Sequence, residues 1–315
     1  MYAQYEEKTY ESYFNTELDR KTSIYFPFGQ VQEGVMGLDA AAHSQSGWLW
    51  RMLGYPFFIF PHFSGVELQS VAEVMEDYLG REVRNIPAMK VNLLFQYKRP
   101  EIFDESGTEW PLWEQRYFRY TIEPDQHNLL AHLESTFGAD ALVLYAAPAV
   151  ENVDELVSLK LSGNIIRNSN YRRASDLNTH HYNTYIKAGC YSQACSEPHR
   201  LDNLDLIKLI EGVEPIKRRD NKQFLMEFTK QIAASMIEAK YIKAAFDKRL
   251  SEFNEFKKYE LLFAMISMGV FKEVTGTQWL VSLGKKAEES KQSDSVQGVI
   301  KYGSVPRVLD LGEDK

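Results

Sequence analysis

Residues 9–20 (TYESYFNTELDR) place Tyr10, Phe14 and Leu18 at i, i+4 and i+8, the spacing of one helical face. The next stretch, 23–44, is rich in β-formers and broken by Gly29, Gly34 and Gly37, which predicts strand, turn, strand. Ser64 with Glu67 three positions on has the form of a capping box and predicts a helix to Leu79, stopped at Gly80. Strands are predicted over 91–98 (VNLLFQYK), 117–123 (YFRYTIE) and 141–147 (ALVLYAA). Between the last two, 126–137 sets Leu129, Leu130 and Leu133 on one helical face and ends at Gly138. A further helix begins after Asn152, and 165–173 and 180–187 read as short strands. Helices interleaved with strands imply a mixed α/β domain with helices covering a sheet.

From about residue 202 the pattern turns helical. Leu225, Phe228, Ile232, Met236, Ala239, Ile242, Phe246, Leu250 and Phe253 follow one another at steps of three or four, a single apolar stripe over about eight turns. A second helix is predicted over 258–283, folding back on the first. The organisation expected is an α/β domain over 1–200, a helical domain over 201–284 and a loose polar tail over 285–315.

Composition narrows the function classes. With 18 Tyr, 18 Phe and 5 Trp in 315 residues, and 44% hydrophobic positions, collagen-like and wholly disordered chains are excluded. Lys and Arg number 36 against 44 Asp and Glu, a net charge of −8, so a surface that binds nucleic acid all round is excluded while a local basic groove is not. Two cysteines make no disulfide framework. The longest apolar run, 261–271, falls short of the roughly 20 residues a bilayer requires. The first residues lack the basic start and apolar run of a signal peptide. A cytoplasmic chain with no membrane contact is expected.

The strand over 91–98 ends Gln96-Tyr97-Lys98. Side chains alternate along a strand, so Gln96 and Lys98 share a face. A lysine beside so many apolar residues must pair with a carboxylate, an anion or a water, since burying its charge alone costs several kcal/mol. That is the geometry of a lysine positioning a nucleophilic water beside a divalent ion. Upstream, Glu33 and Asp39 flank a glycine-punctuated turn, and Asp39 with the Gln96 carbonyl offers oxygen ligands to Mg²⁺ (or Mn²⁺), with Glu33 near. The plainer reading gives Gln96 a backbone hydrogen bond, lets Lys98 reach solvent and leaves Asp39 in a turn.

An Asp followed by (Asp/Glu/Gln)-x-Lys on a later strand resembles the PD-(D/E)xK nuclease superfamily of restriction-endonuclease-like folds. The form Gln96-Tyr97-Lys98-Arg99, preceded by Gly37-Leu38-Asp39, is similar to that of Mrr-type restriction nucleases. The resemblance covers roughly residues 1–150 and includes the strand, helix, strand order after the lysine. It implies a restriction-endonuclease-like mixed sheet flanked by helices and metal-dependent hydrolysis of DNA in bacterial antiviral defence. It also implies Asp39, Gln96, Lys98 and Glu33 as site residues. The 57-residue gap between Asp39 and Gln96 implies a helix-bearing insertion over 42–85. Glu82, 14 residues before Gln96, is an alternative first acid, and Glu67 an alternative helix-borne one. The rival class is a non-catalytic nucleic-acid-binding or scaffold subunit that keeps the fold and docks a partner or a second copy through its helices.

Two further groups are candidates. His180, His181, Cys190, Cys195 and His199 hold imidazole and thiol ligands suited to zinc, against the plainer reading of a buried thiol and surface imidazoles. Arg99, Arg172, Arg173, Lys217, Arg218 and Arg219 are candidates for phosphate contact. The segment 217–258 carries eleven Lys or Arg against six acids.

Overall fold

The computed structural model describes residues 1–25, 68–105, 107–196, 198–214 and 220–284, all within one unit, Met1–Lys285. In chain order come α1 (Glu7–Lys21), β1 (Ile24–Tyr25), α2 (Leu68–Asn85), β2 (Met89–Tyr97), β3 (Glu101–Phe103), α3 (Trp110–Trp113) and β4 (Tyr117–Thr121). They are followed by α4 (Pro124–Phe137), β5 (Ala141–Pro148), α5 (Val153–Ser162), β6 (Ser169–Arg173), β7 (Tyr182–Tyr185), β8 (Ser192–Cys195) and β9 (His199–Leu201). The described chain closes with α6 (Leu206–Gly212), α7 (Asn221–Ser235), α8 (Lys240–Ser251), α9 (Glu260–Thr275) and β10 (Thr277–Leu283).

The strands form two sheets. The first has the order β1-β10-β2-β5-β6, with β2 and β5 parallel and the other pairs antiparallel. β2 and β5 are buried at every position, the reason both read as near-continuous apolar runs. On one face α1 packs Phe14 against Phe95 and Tyr97, with ring centroids 5.3 and 5.4 Å apart. On the other, Phe137 of α4 meets Phe228 of α7 at 4.5 Å, and Phe228 stacks on Trp279 of β10. Aromatic pairs at these separations add to the stabilisation from burial alone.

The second sheet, β3-β4-β7-β8-β9, is antiparallel throughout. Buried polar groups tie it to the first. Arg172 of β6, 0% exposed, donates through Nε to the Ser192 hydroxyl, through Nη1 to the Asp202 carbonyl and through Nη2 to the Leu201 carbonyl. Ser192 donates in turn to Asn183, whose amide donates to Asn170 of β6 at 3.2 Å.

The structure is mixed α/β, as the pattern predicts, and three elements differ. α2 runs past Gly80 to Asn85, because that glycine does not cap the helix. A Cβ there would lie 4.0 Å from Leu261 Cδ1, so Gly80 faces α9 at close range. The apolar stripe over 225–253 is two helices, since the backbone turns through the 3₁₀ segment Met236–Glu238 and a non-helical Ala239 at φ −102, ψ 74. Both helices face the same core, with Ile232 and Phe246 buried, so the periodicity carries across the bend.

The predicted helix over 258–283 stops at Gly276, in the left-handed region at φ +71, and continues as β10. β10 enters the sheet between β1 and β2, so the segment 201–284 supplies an interior strand to a sheet whose other strands lie within residues 24–173. It shares their core and is not a helical body apart from them.

Candidate site at the carboxyl end of the central strand

The register sets Gln96 of β2 between Thr277 of β10 and Tyr145 of β5. Its side chain is buried, 4% exposed, and held at both ends. Nε2 donates to the Tyr97 carbonyl at 3.4 Å, and Oε1 accepts from the Thr277 hydroxyl at 2.9 Å. Lys98 follows on the same face, half-buried, with Nζ donating to Gln126 Oε1 of α4 at 3.2 Å and lying 5.8 Å from the centre of the Tyr145 ring. Gln126 passes the contact on, its Nε2 donating to the Thr275 carbonyl at the end of α9.

Among the described residues the Lys98 ammonium forms no salt bridge. Burial lowers its pKa, and the charges of Glu7 and Glu123 work against that. Glu7, at the start of α1, is raised by burial, with Lys98 and the backbone N–H of Arg99 pulling it down. The end of β2 thus gathers one ammonium, two amides, one hydroxyl and two nearby carboxylates. With three N–H donors and one of them on Gln126, the ammonium retains donors for an anion or a water.

Polar groups line the surrounding elements. Glu11 of α1 accepts from Lys8 and from Lys272, which also donates to Gln278. Burial pushes Glu11 up, but those two lysines outweigh it and hold the carboxyl below its ordinary range. His127 pairs through Nδ1 with the Tyr145 hydroxyl at 3.1 Å and through Nε2 with Asn178 at 3.2 Å. Burial lowers the His127 pKa, so the neutral ring is favoured.

Of the predicted site residues, Gln96 and Lys98 come together as the strand pattern requires. Asp39, Glu33, Glu67, Lys217, Arg218 and Arg219 lie outside the described residues. Glu82 lies three residues before the end of α2, by the start of β2. Nine strand residues span about 30 Å, which sets Glu82 at the opposite end of β2 from Lys98. As an alternative first acid it is displaced by geometry.

The described arginines among those proposed for phosphate contact, Arg99, Arg172 and Arg173, are committed elsewhere. Arg172 is enclosed between the sheets, with its pKa lowered by burial. Arg173 pairs with Glu134 at 3.2 Å, and Arg99 donates to the Ala3 carbonyl and faces Glu6. In the helical segment Lys222, Lys243 and Arg249 pair with Glu260, Asp247 and Glu273. Apart from Asp247, one helical turn from Lys243, these partners arrive from distant parts of the chain, which a local pattern does not reveal.

The zinc candidates are dispersed. Cys195 is buried in β8 against Thr184, and burial raises its thiol pKa, whereas His199 is exposed on β9 and His181 is exposed before β7. Among the described residues no three His, Cys, Asp or Glu side chains converge as a metal site would need. For a hard cation the fit rests on oxygen donors: Gln96 Oε1 keeps a lone pair beyond the one engaged by Thr277, and amide and carboxylate oxygens suit Mg²⁺.

Glu7, Glu123, Gln126 and Thr277 were not singled out by sequence. Two of them left a signal. Glu7 and Glu11 continue the i, i+4 stripe of Phe14 and Leu18, and Gln126 stands one turn before Leu129 and Leu130 on the face that covers the sheet. A polar residue in an apolar stripe marks a buried polar contact. Thr277 gave none, because its strand read as the end of a helix.

No helix among the described residues is long and apolar enough to cross a membrane. Comparison with protein-family models, with curated proteins and with solved structures gave no match.

Proposed function

We propose that the chain is a metal-dependent nuclease that hydrolyses phosphodiester bonds of DNA, with the carboxyl end of β2 as its centre. One observation carries the reading. An ammonium stands two residues beyond a buried amide on one face of an interior strand, unpaired by any described carboxylate and with N–H donors left over. A phosphate oxygen or an attacking water is the partner such a group takes.

In this reading Lys98 donates to the attacking water and to the phosphate oxygen that gains charge, and the Tyr145 ring beside it limits where water can enter. Gln96 presents a fixed amide oxygen. Asp39 and Gln96 would hold Mg²⁺ (or Mn²⁺), with Glu33 beside them. A bound ion of that kind supplies Lewis acidity and a more acidic water. Glu7 and Glu123 keep Lys98 charged against the pull of burial. A role in antiviral defence belongs to the same proposal through the resemblance.

The test uses the full chain with supercoiled and linear DNA and either Mg²⁺ or Mn²⁺. The wild type is expected to cleave, while Lys98→Ala and Asp39→Ala bind DNA without cleaving it. Binding without cleavage by the wild type under every condition would contradict hydrolysis and favour a non-catalytic subunit.

A further inference from the structure

Gln96 and Gln126 come from different elements, yet both take their orientation from the same three residues. Thr277 is the first residue of β10 and 0% exposed, and its hydroxyl donates to Gln96 Oε1. The other end of that amide faces the Tyr97 carbonyl, which can only accept, so Nε2 belongs there and Oε1 belongs at Thr277. Gln126 repeats the logic. The Thr275 carbonyl can only accept, so it fixes Nε2 of Gln126 and turns Oε1 toward Lys98.

Gly276 between them is left-handed, and a Cβ at that position would lie 3.6 Å from Gln96 Nε2 and 3.9 Å from Gln126 Nε2. The tight turn therefore brings one hydroxyl and one carbonyl to two amides at once. The Thr275 hydroxyl, which accepts from the Thr277 backbone N–H at 3.1 Å, closes it.

We infer that the turn between α9 and β10, residues 275–277, is a positioning element of the site: it sets the Gln96 amide through the Thr277 hydroxyl and the Lys98 ammonium through Gln126. The inference rests on the nuclease reading and deepens it, because a segment some 180 residues from Gln96 then governs the geometry of the reacting centre. Thr277 and Gln126 act through other residues and touch no substrate.

The experiment compares full-length wild type, Thr277→Val and Thr277→Ser. Valine keeps the shape and removes the hydroxyl, whereas serine keeps the hydroxyl. Two quantities are measured: kcat and KM for DNA cleavage, and the affinity for Mn²⁺ alone by calorimetric titration. Thr277→Val is expected to lower kcat about tenfold with KM within about twofold, and to weaken Mn²⁺ binding by about the same tenfold factor. Thr277→Ser is expected to restore both.

Wild-type behaviour in Thr277→Val, or equal loss in Thr277→Ser, would overturn the inference while leaving the nuclease reading intact. Absence of cleavage by the wild type would overturn the nuclease reading, and the Mn²⁺ titration would then decide the positioning role. A hydroxyl-dependent affinity upholds it, and an unchanged or undetectable affinity overturns it. Should Thr277→Val not fold, Gln126→Met carries the test through the second amide, with a lower kcat at unchanged KM expected and wild-type kcat overturning it.

Discussion

Arg172 of β6 and Lys98 at the end of β2 stand on either side of β5 in one sheet, and burial lowers the pKa of both. Their surroundings separate them. All three nitrogen groups of Arg172 are spent on Ser192, Asp202 and Leu201, whereas Lys98 has one described acceptor. Replacing Arg172 by leucine leaves those acceptors without donors inside the protein and is expected to cost about 3 kcal/mol, measured by denaturant unfolding. DNA affinity and its salt dependence are expected to stay as in wild type for the folded fraction. A reduced salt slope would instead assign Arg172 to phosphate contact.

His127 gives a second prediction at this scale. Its folded pKa lies below the ordinary value of 6.5, so between the two the unfolded chain binds more protons than the fold. Stability is therefore expected to rise with pH through that window and to fall as acid is added below pH 6.5. His127→Gln should lessen that dependence in Tm measured from pH 7 to pH 5; an identical profile would show that the fold leaves the ring's pKa unshifted.

At the scale of elements, the helix-to-strand turn at Gly276 does what no other residue type does cheaply. A side chain at φ +71 costs about 1 kcal/mol. Gly276→Ala is expected to lose that stability and to reduce cleavage as well, since it shifts the turn that faces Gln96 and Gln126. Gly163→Ala, at φ +65 with nothing nearby, is expected to lose similar stability with cleavage unchanged. Equal effects on cleavage would deny the turn a special place.

Most elements were legible because local pattern and tertiary role agree. α4 begins at Pro124, ends at Gly138 and carries Leu129, Leu130 and Leu133 inward. α5 starts at an Asn152 side chain that accepts from the Glu155 backbone and stops at left-handed Gly163. β10 was illegible for a physical reason. In TQWLVSL both faces are covered, with Gln278 and Ser282 buried beside Leu280, and the strand follows a helix apolar nearly all round, so no exposed polar face marks where it begins. Gly276 was the one mark of the change. The bend at residues 236–239 was hidden similarly, since a stripe reports which face is buried and not whether the backbone is continuous.

For the whole molecule, the placement of β10 between β1 and β2 makes the chain's two halves interdependent. α7 and α9 cover the same core that α4 closes, and Lys90 of β2 donates to the carbonyls of Ile210 and Glu211 at the end of α6. A truncation at residue 200 is therefore expected to yield an unfolded or aggregated product, read by circular dichroism. A soluble, cooperatively melting fragment would restore the two-domain organisation.

Of the site itself, Gln96 and Lys98 were legible because alternation along a strand is local. Gln126, Glu7 and Thr277 reach them from sequence distances of 28 to 181 residues or by a helix end brought across the sheet, which no local pattern encodes.

The measurement that bears most directly on this account is single-turnover cleavage of DNA by the full chain with Mg²⁺ or Mn²⁺, wild type against Lys98→Ala. A loss of at least about a hundredfold, with DNA binding and Tm preserved, is the predicted result. Equal rates, or a Lys98→Ala deficit explained wholly by lost stability, would contradict a centre built on that ammonium.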